Sequence, residues 1–175
     1  MNTNPSKEQI VNQAIKFHSQ GNISEAAKYY QCFINQGFKD CRVFLNYGAI
    51  LQGLSKLKDA ELSYRKAIEI KPDFAEAHCN LGNILRDLGK LKDAELSTRT
   101  AIKLKPDFAN AHSNLGIILR DLGKLEDAEL SYRKAIELKP DYAEAHSNLG
   151  IISKDLGKLE AAELSYRKAI ELKPD

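Results

Sequence analysis

Apolar and small residues recur along this chain at helical spacing. Ala77, Leu81, Ile84, Leu85 and Leu88 fall at i, i+4, i+7, i+8 and i+11, one face of a helix. A second set follows at i, i+3, i+7 and i+10: Leu91, Ala94, Thr98 and Ala101. Gly89 stands between them, where a left-handed residue can end the first helix. Lys105-Pro106 closes the second, because the residue before a proline is pushed out of the helical region. The pattern predicts two helices joined by a tight turn, and no strand-like alternation appears anywhere. Ser6 with Gln9, Asp73 with Glu76 and Asp141 with Glu144 are each spaced as a capping box at a helix start.

The same pair is written repeatedly. Pro72, Pro106, Pro140 and Pro174 are 34 residues apart, and the stretches between them are nearly identical. A strict period of this size marks a repeat array. Stepping back from the later copies places five units, 7–40, 41–74, 75–108, 109–142 and 143–175. Residues 1–6 are expected to be a disordered polar leader. Gly82, Gly116 and Gly150 sit inside first helices, where glycine costs about 1 kcal/mol relative to alanine. That cost is explained if another helix crosses closely there. Small Ala60, Ala94, Ala128 and Ala162 near the starts of the second helices fit the same tight packing. Thr98 replaces the tyrosine of the other units (Tyr64, Tyr132, Tyr166) and should leave a less filled contact. Glu95–Arg99, Glu129–Arg133 and Glu163–Arg167 read as i,i+4 pairs on a solvated surface.

These residues resemble the tetratricopeptide repeat, whose pattern is W-x2-L-G-x2-Y, then A-x3-F, then P. The fourth unit meets it with Leu115-Gly116, Ala128, Tyr132 and Pro140, while His112 and Leu119 replace the two aromatics. The second unit reads Phe44, Tyr47-Gly48, Leu51, Ala60, Tyr64 and Pro72. The first is diverged: Ala14 holds the glycine position and Phe38 the proline position, but Phe17, Gly21, Ala26 and Tyr30 keep register. The resemblance implies an all-α solenoid of helix-turn-helix repeats, wound into a right-handed superhelix. It implies that the first helices line a concave peptide-binding groove.

One column on the first helices has the chemistry for that role. Asn12, Asn46, Asn80, Asn114 and Asn148 are in phase through all five units, including the diverged first. Asparagine is a mediocre helix former, but its amide offers both a donor and an acceptor to a peptide bond. Neighbouring helices lie ~8–10 Å apart and an extended peptide advances ~3.3 Å per residue. One asparagine per repeat would therefore hold about every third ligand residue by its backbone. The column is similar to the asparagine ladder in the repeat arm of the O-linked N-acetylglucosamine transferase. It equally fits hydrogen bonds between adjacent repeats, or copying by duplication. Asn83, Asp87, Asp121 and Asp155 lie on the same face and are grouped with it as candidate peptide-binding residues. Arg86, Arg120 and Lys154 stand beside those aspartates and can neutralise them. The family's clamp for chaperone tails needs lysine and arginine where this chain has Asn110 and Asn114, or Glu144 and Asn148, so that ligand is not expected.

Composition narrows the remaining classes. Charged residues are 29% of 175 and net charge is only +2, which argues against nucleic acid as a partner. No apolar run approaches the ~18 residues of a membrane span, and the start lacks the apolar core of a secretory signal. A cytoplasmic location and no membrane partner are expected. Cys32, Cys41 and Cys79 form no CxxC pair and read as reduced structural thiols. His78, His112 and His146 lie one repeat apart and cannot converge on one metal. Neither a catalytic set, a metal site nor a cofactor motif is legible, so the chain reads as no enzyme. The expected function is a scaffold for protein–protein interaction that binds an extended peptide in the groove. One alternative is the recruiting arm of a larger glycosyl-, sulfo- or methyltransferase. The other is end-to-end self-association through the C-terminal helix, whose Tyr166, Ala169 and Ile170 have no following helix to cover them.

Overall fold

A computed structural model describes residues 6–173. The expected leader, apart from Ser6, and Pro174 lie outside the described residues. The described residues form ten α-helices and no strand: α1 (Lys7–Ser19), α2 (Ile23–Asn35), α3 (Cys41–Gly53), α4 (Leu57–Ile70), α5 (Ala75–Asp87), α6 (Leu91–Leu104), α7 (Ala109–Asp121), α8 (Leu125–Leu138), α9 (Ala143–Asp155) and α10 (Leu159–Leu172). The chain divides into two compact units, Met1–Asn80 and Leu81–Asp175, with the boundary inside α5. In the first unit α1 packs on α2, α2 on α3 and α3 on α4. Its core gathers Ile10, Ala14, Tyr30, Phe33, Val43 and Ile50. In the second unit α7 packs on α8, α9 on α10, and α8 on α9. Leu115, Leu119, Ala128, Tyr132, Leu149 and Ile152 form its core.

The turn within each helix pair needs a left-handed residue, and glycine supplies it at Gly21, Gly89, Gly123 and Gly157, with φ between +73° and +75°. The next amide then reaches back into the helix, as Lys90 N–H does to the Leu85 carbonyl at 2.8 Å. Ser55 takes the same position in the second pair at φ 58°, although it carries a Cβ. Ser55→Gly is therefore expected to raise stability by about 1 kcal/mol. A urea melt with an unchanged or lower midpoint would contradict this.

The junction between pairs is fastened locally. Nε2 of His78, His112 and His146 each donates at 3.0 Å to the carbonyl of Pro72, Pro106 and Pro140. Lys71, Lys105 and Lys139 lie over the rings of Phe74, Phe108 and Tyr142 at 5.2, 5.0 and 4.8 Å. These aromatics open the following helices. The capping box expected at Asp141 and Glu144 is therefore not formed: α9 has Tyr142 at its N-cap and no side-chain cap. Glu144 instead pairs with Lys173 at 3.3 Å. The box at Ser6 and Gln9 is present.

The close crossings fall where the buried glycines do. A Cβ on Gly116 would sit 2.7 Å from the Tyr132 ring, and one on Gly48 or Gly150 equally close to Tyr64 or Tyr166. Gly82 is met by the Thr98 hydroxyl. Thr98 is fully buried, and its hydroxyl has no hydrogen-bond partner among the described residues.

The glutamate column departs from the sequence expectation in part, since the Glu163–Arg167 pair is solvated, with 68% of the Glu163 side chain exposed. Glu129 is buried, 6% exposed, and not part of a solvated surface. Its carboxylate holds Arg133 at 2.8 Å in its own helix and Lys158 at 2.6 Å, 29 residues on. Glu95 likewise holds Arg99 and Lys124, at 2.9 and 2.8 Å. The lysine sits in the turn of the next pair, so the bridge ties one repeat to its neighbour. The Lys158 hydrogen bond first, then Arg133, holds the Glu129 carboxyl below the usual carboxylate range, against the opposing effect of its burial. A carboxyl depressed in the folded state stabilises above its unfolded pKa of about 4.3, and that contribution disappears as pH falls through the folded value. Lys158→Met is expected to cost about 1 kcal/mol at neutral pH. The deficit should shrink once the solution is acid enough to protonate Glu129. Urea melts at neutral and acid pH showing an equal deficit would overturn the assignment.

Candidate functional site

The first helix of each pair carries the asparagine column: α1, α3, α5, α7 and α9 in order. In the N-terminal unit Asn12 is exposed, and Asn46 and Asn80 are half-buried. In the C-terminal unit Asn114 and Asn148 are half-buried. A half-buried amide is held by its helix yet has a face open to a ligand.

Asn46 reaches across to the preceding repeat. Its Nδ2 donates to the hydroxyl of Tyr30 at 3.2 Å, from α3 to α2. That is a bond between adjacent repeats, one of the two roles the column allows. Burial raises the Tyr30 pKa and the Asn46 bond lowers it in part. The corresponding tyrosines are used differently. Tyr64 donates to Gln52 Oε1 at 3.2 Å, and the Tyr132 hydroxyl is buried with no hydrogen-bond partner among the described residues. Burial pushes both to about 12.

The remaining candidates are partly committed. Asp87 pairs with Arg86 at 2.7 Å and Asp121 with Arg120 at 3.5 Å. Two of the three aspartates thus carry a neighbouring guanidinium, and α5 and α7 present neutral pairs. Asp155 on α9 is exposed. Asn83 is half-buried, and its Oδ1 is buried with no hydrogen-bond partner among the described residues. Such an acceptor costs about 1–3 kcal/mol unless something donates to it. Ile117 and Ile151 hold the equivalent place one and two repeats on, so the polar group is peculiar to α5.

Four leucines escaped the sequence reading. Leu62, Leu96, Leu130 and Leu164, on the second helices, are 63%, 68%, 65% and 65% exposed. The available signal was their strict period on a face otherwise charged or polar. Cys32, Cys41 and Cys79 form no disulfide. No described helix is long and apolar enough to cross a membrane.

Comparison with known proteins agrees with the helical repeats. The family model described as TPR repeat matches residues 54–89 and 116–155, and that described as Tetratricopeptide repeat matches 75–108 and 143–175. No curated protein matches the sequence. Among solved structures, MamA from Desulfovibrio magneticus RS-1 is 21% identical, with TM-score 0.85 and coverage of 96% of this chain and 95% of that one. TTC0263, a thermophilic TPR protein of Thermus thermophilus, is 19% identical with TM-score 0.77, covering 97% and 93%. YrrB, described as a TPR protein with an unusual peptide-binding site, is 22% identical with TM-score 0.77, covering 97% and 88%. At these identities the likeness shows the fold.

Proposed function

The chain belongs to the tetratricopeptide repeat family, and from that premise we propose that it is a protein-interaction scaffold whose first helices grip the backbone of an extended peptide segment. The observation that carries this reading is the asparagine column, in phase on every first helix and half-buried at Asn80, Asn114 and Asn148. An amide in that setting can donate to one peptide carbonyl and accept from one peptide N–H. Backbone contacts of this kind tolerate many ligand sequences, and selectivity then falls to neighbours such as Asn83 and Asp155. The fold likeness to YrrB, a TPR protein described with a peptide-binding site, supports a peptide over a small molecule. A pull-down with wild type against Asn80→Ala/Asn114→Ala/Asn148→Ala tests the reading. Loss of partners from the variant is expected, and equal recovery of every partner would overturn it.

A second reading rests on α10. Leu159 and Ile170 are 68% and 64% exposed, whereas their counterparts Leu125 and Ile136 pack against the core of the C-terminal unit. With Ala162 and Tyr166 they line an open apolar groove. We infer that this face pairs with the same face of a second copy. Sedimentation should then show a concentration-dependent dimer that Ile170→Glu abolishes, and a monomer at high concentration contradicts it.

A further inference from the structure

The exposed leucines of the C-terminal unit form a surface that the peptide reading does not use. Leu96, Leu130 and Leu164 take the same outward position on α6, α8 and α10. Single exposed leucines need no explanation, but these three recur in phase. α6 differs from α8 at Lys92, Thr98, Thr100 and Lys103, while the stretch around the leucine, 93–97 against 127–131, is identical.

Leu130 and Leu164 each form the rim of an open groove. The first, about 360 Å³, has Ile102 and Leu115 beneath Leu130, and Arg99, Lys103 and Lys134 around it. The second, about 440 Å³, repeats the arrangement with Ile136, Leu149 and Leu164 beside Arg133 and Lys168. Only one carboxylate, Glu137, lines either groove, and it already holds Lys134 at 2.6 Å. Glu95 and Glu129 each serve two cations, so they leave Arg99 and Arg133 incompletely neutralised. Lys168 is likewise paired, with Glu171 at 2.9 Å, so the cationic edge of the apolar grooves rests on Arg99, Lys103 and Arg133.

The spacing limits what can enter. Successive grooves are offset by roughly one helix diameter, about 10 Å. Residues i and i+7 of a helix are about 10.5 Å apart on one face. We propose that this face of the second helices docks an acidic amphipathic helix of a protein partner. Leucine-sized side chains two turns apart enter the two grooves, and carboxylates between them meet Arg99, Lys103 and Arg133. The grooves also draw on the first helices α7 and α9, but no asparagine of the column lines either of them.

The probe is a fluorescein-labelled designed helix with leucines at i and i+7 and glutamates between, compared by anisotropy with a copy carrying lysine for glutamate. Wild type is expected to bind the acidic peptide, more weakly as salt rises, and not the basic one. Leu96→Ser/Leu130→Ser/Leu164→Ser should weaken binding by about tenfold or more with an unchanged melting curve, since these side chains are largely solvated. Lys103→Glu, which restores the residue found in three other repeats (Glu69, Glu137 and Glu171), should also weaken it several-fold. Equal binding by the leucine variant, or of the two peptides, overturns the proposal. Loss with Asn80→Ala/Asn114→Ala/Asn148→Ala in place of the leucine variant would assign the peptide to the first helices and overturn it as well. So would capture by phosphatidylserine vesicles with no peptide binding, which would make the face a lipid surface.

Discussion

Gly116→Ala is expected to destabilise the protein by about 2 kcal/mol, although alanine is the better helix former by about 1 kcal/mol. The added methyl would stand 2.7 Å from Cζ of Tyr132, well inside van der Waals contact. The ring cannot withdraw, because Tyr132 is 0% exposed and packed among Leu115, Leu119, Leu149 and Ile152. Overfilling such a site typically costs ~1–3 kcal/mol. Gly150→Ala provides an internal comparison. It meets Tyr166 at the same 2.7 Å, but Tyr166 is only half-buried and can move outward, so the loss should be smaller. A double-mutant cycle with Tyr132→Leu, followed by urea melts, isolates the contact. The double variant should lose clearly less than the two single losses added together. Additive losses would show that Gly116 is required for some other reason.

The second large effect concerns binding. Asn80→Ala/Asn114→Ala/Asn148→Ala should weaken a bound extended peptide by about 100-fold, from roughly 1 kcal/mol for each amide removed. All three side chains are half-buried, and the loss of affinity should exceed any loss of stability. Asn46→Ala tests the bond between adjacent repeats. It leaves the hydroxyl of fully buried Tyr30 without the Asn46 amide and is expected to lower stability by about 1 kcal/mol. Isothermal titration beside thermal melts separates the two outcomes. Unchanged affinity in the triple variant would leave the column a purely structural feature.

The helical repeat was legible because its punctuation is local. Gly89, Gly123 and Gly157 end first helices, Pro106 and Pro140 follow second helices, and Gly116 marks a crossing. Each of these residues acts through its own backbone. The bridges between repeats were harder to read, because they join side chains 29 residues apart. Glu129 looked solvated from its own helix, where Arg133 is its natural i,i+4 partner. Only the fold brings Lys158 over it and buries it. The capping box at Asp141 and Glu144 failed for a related reason: the helix opens on Tyr142, which packs under Lys139, and Glu144 finds Lys173. The candidate site was legible as a column of one residue type. Its electrostatics were only half legible, since the pairing of Asp87 with Arg86 depends on rotamers that sequence does not specify.

The central claim is that the first helices hold a ligand through their asparagine amides. It is tested most directly by following the side-chain amide resonances of 15N-labelled protein during titration with a peptide selected from a random-sequence display library. The account predicts that the amides of Asn80, Asn114 and Asn148 shift with the peptide and saturate together. Amides that stay in place while resonances of the second helices move would contradict it.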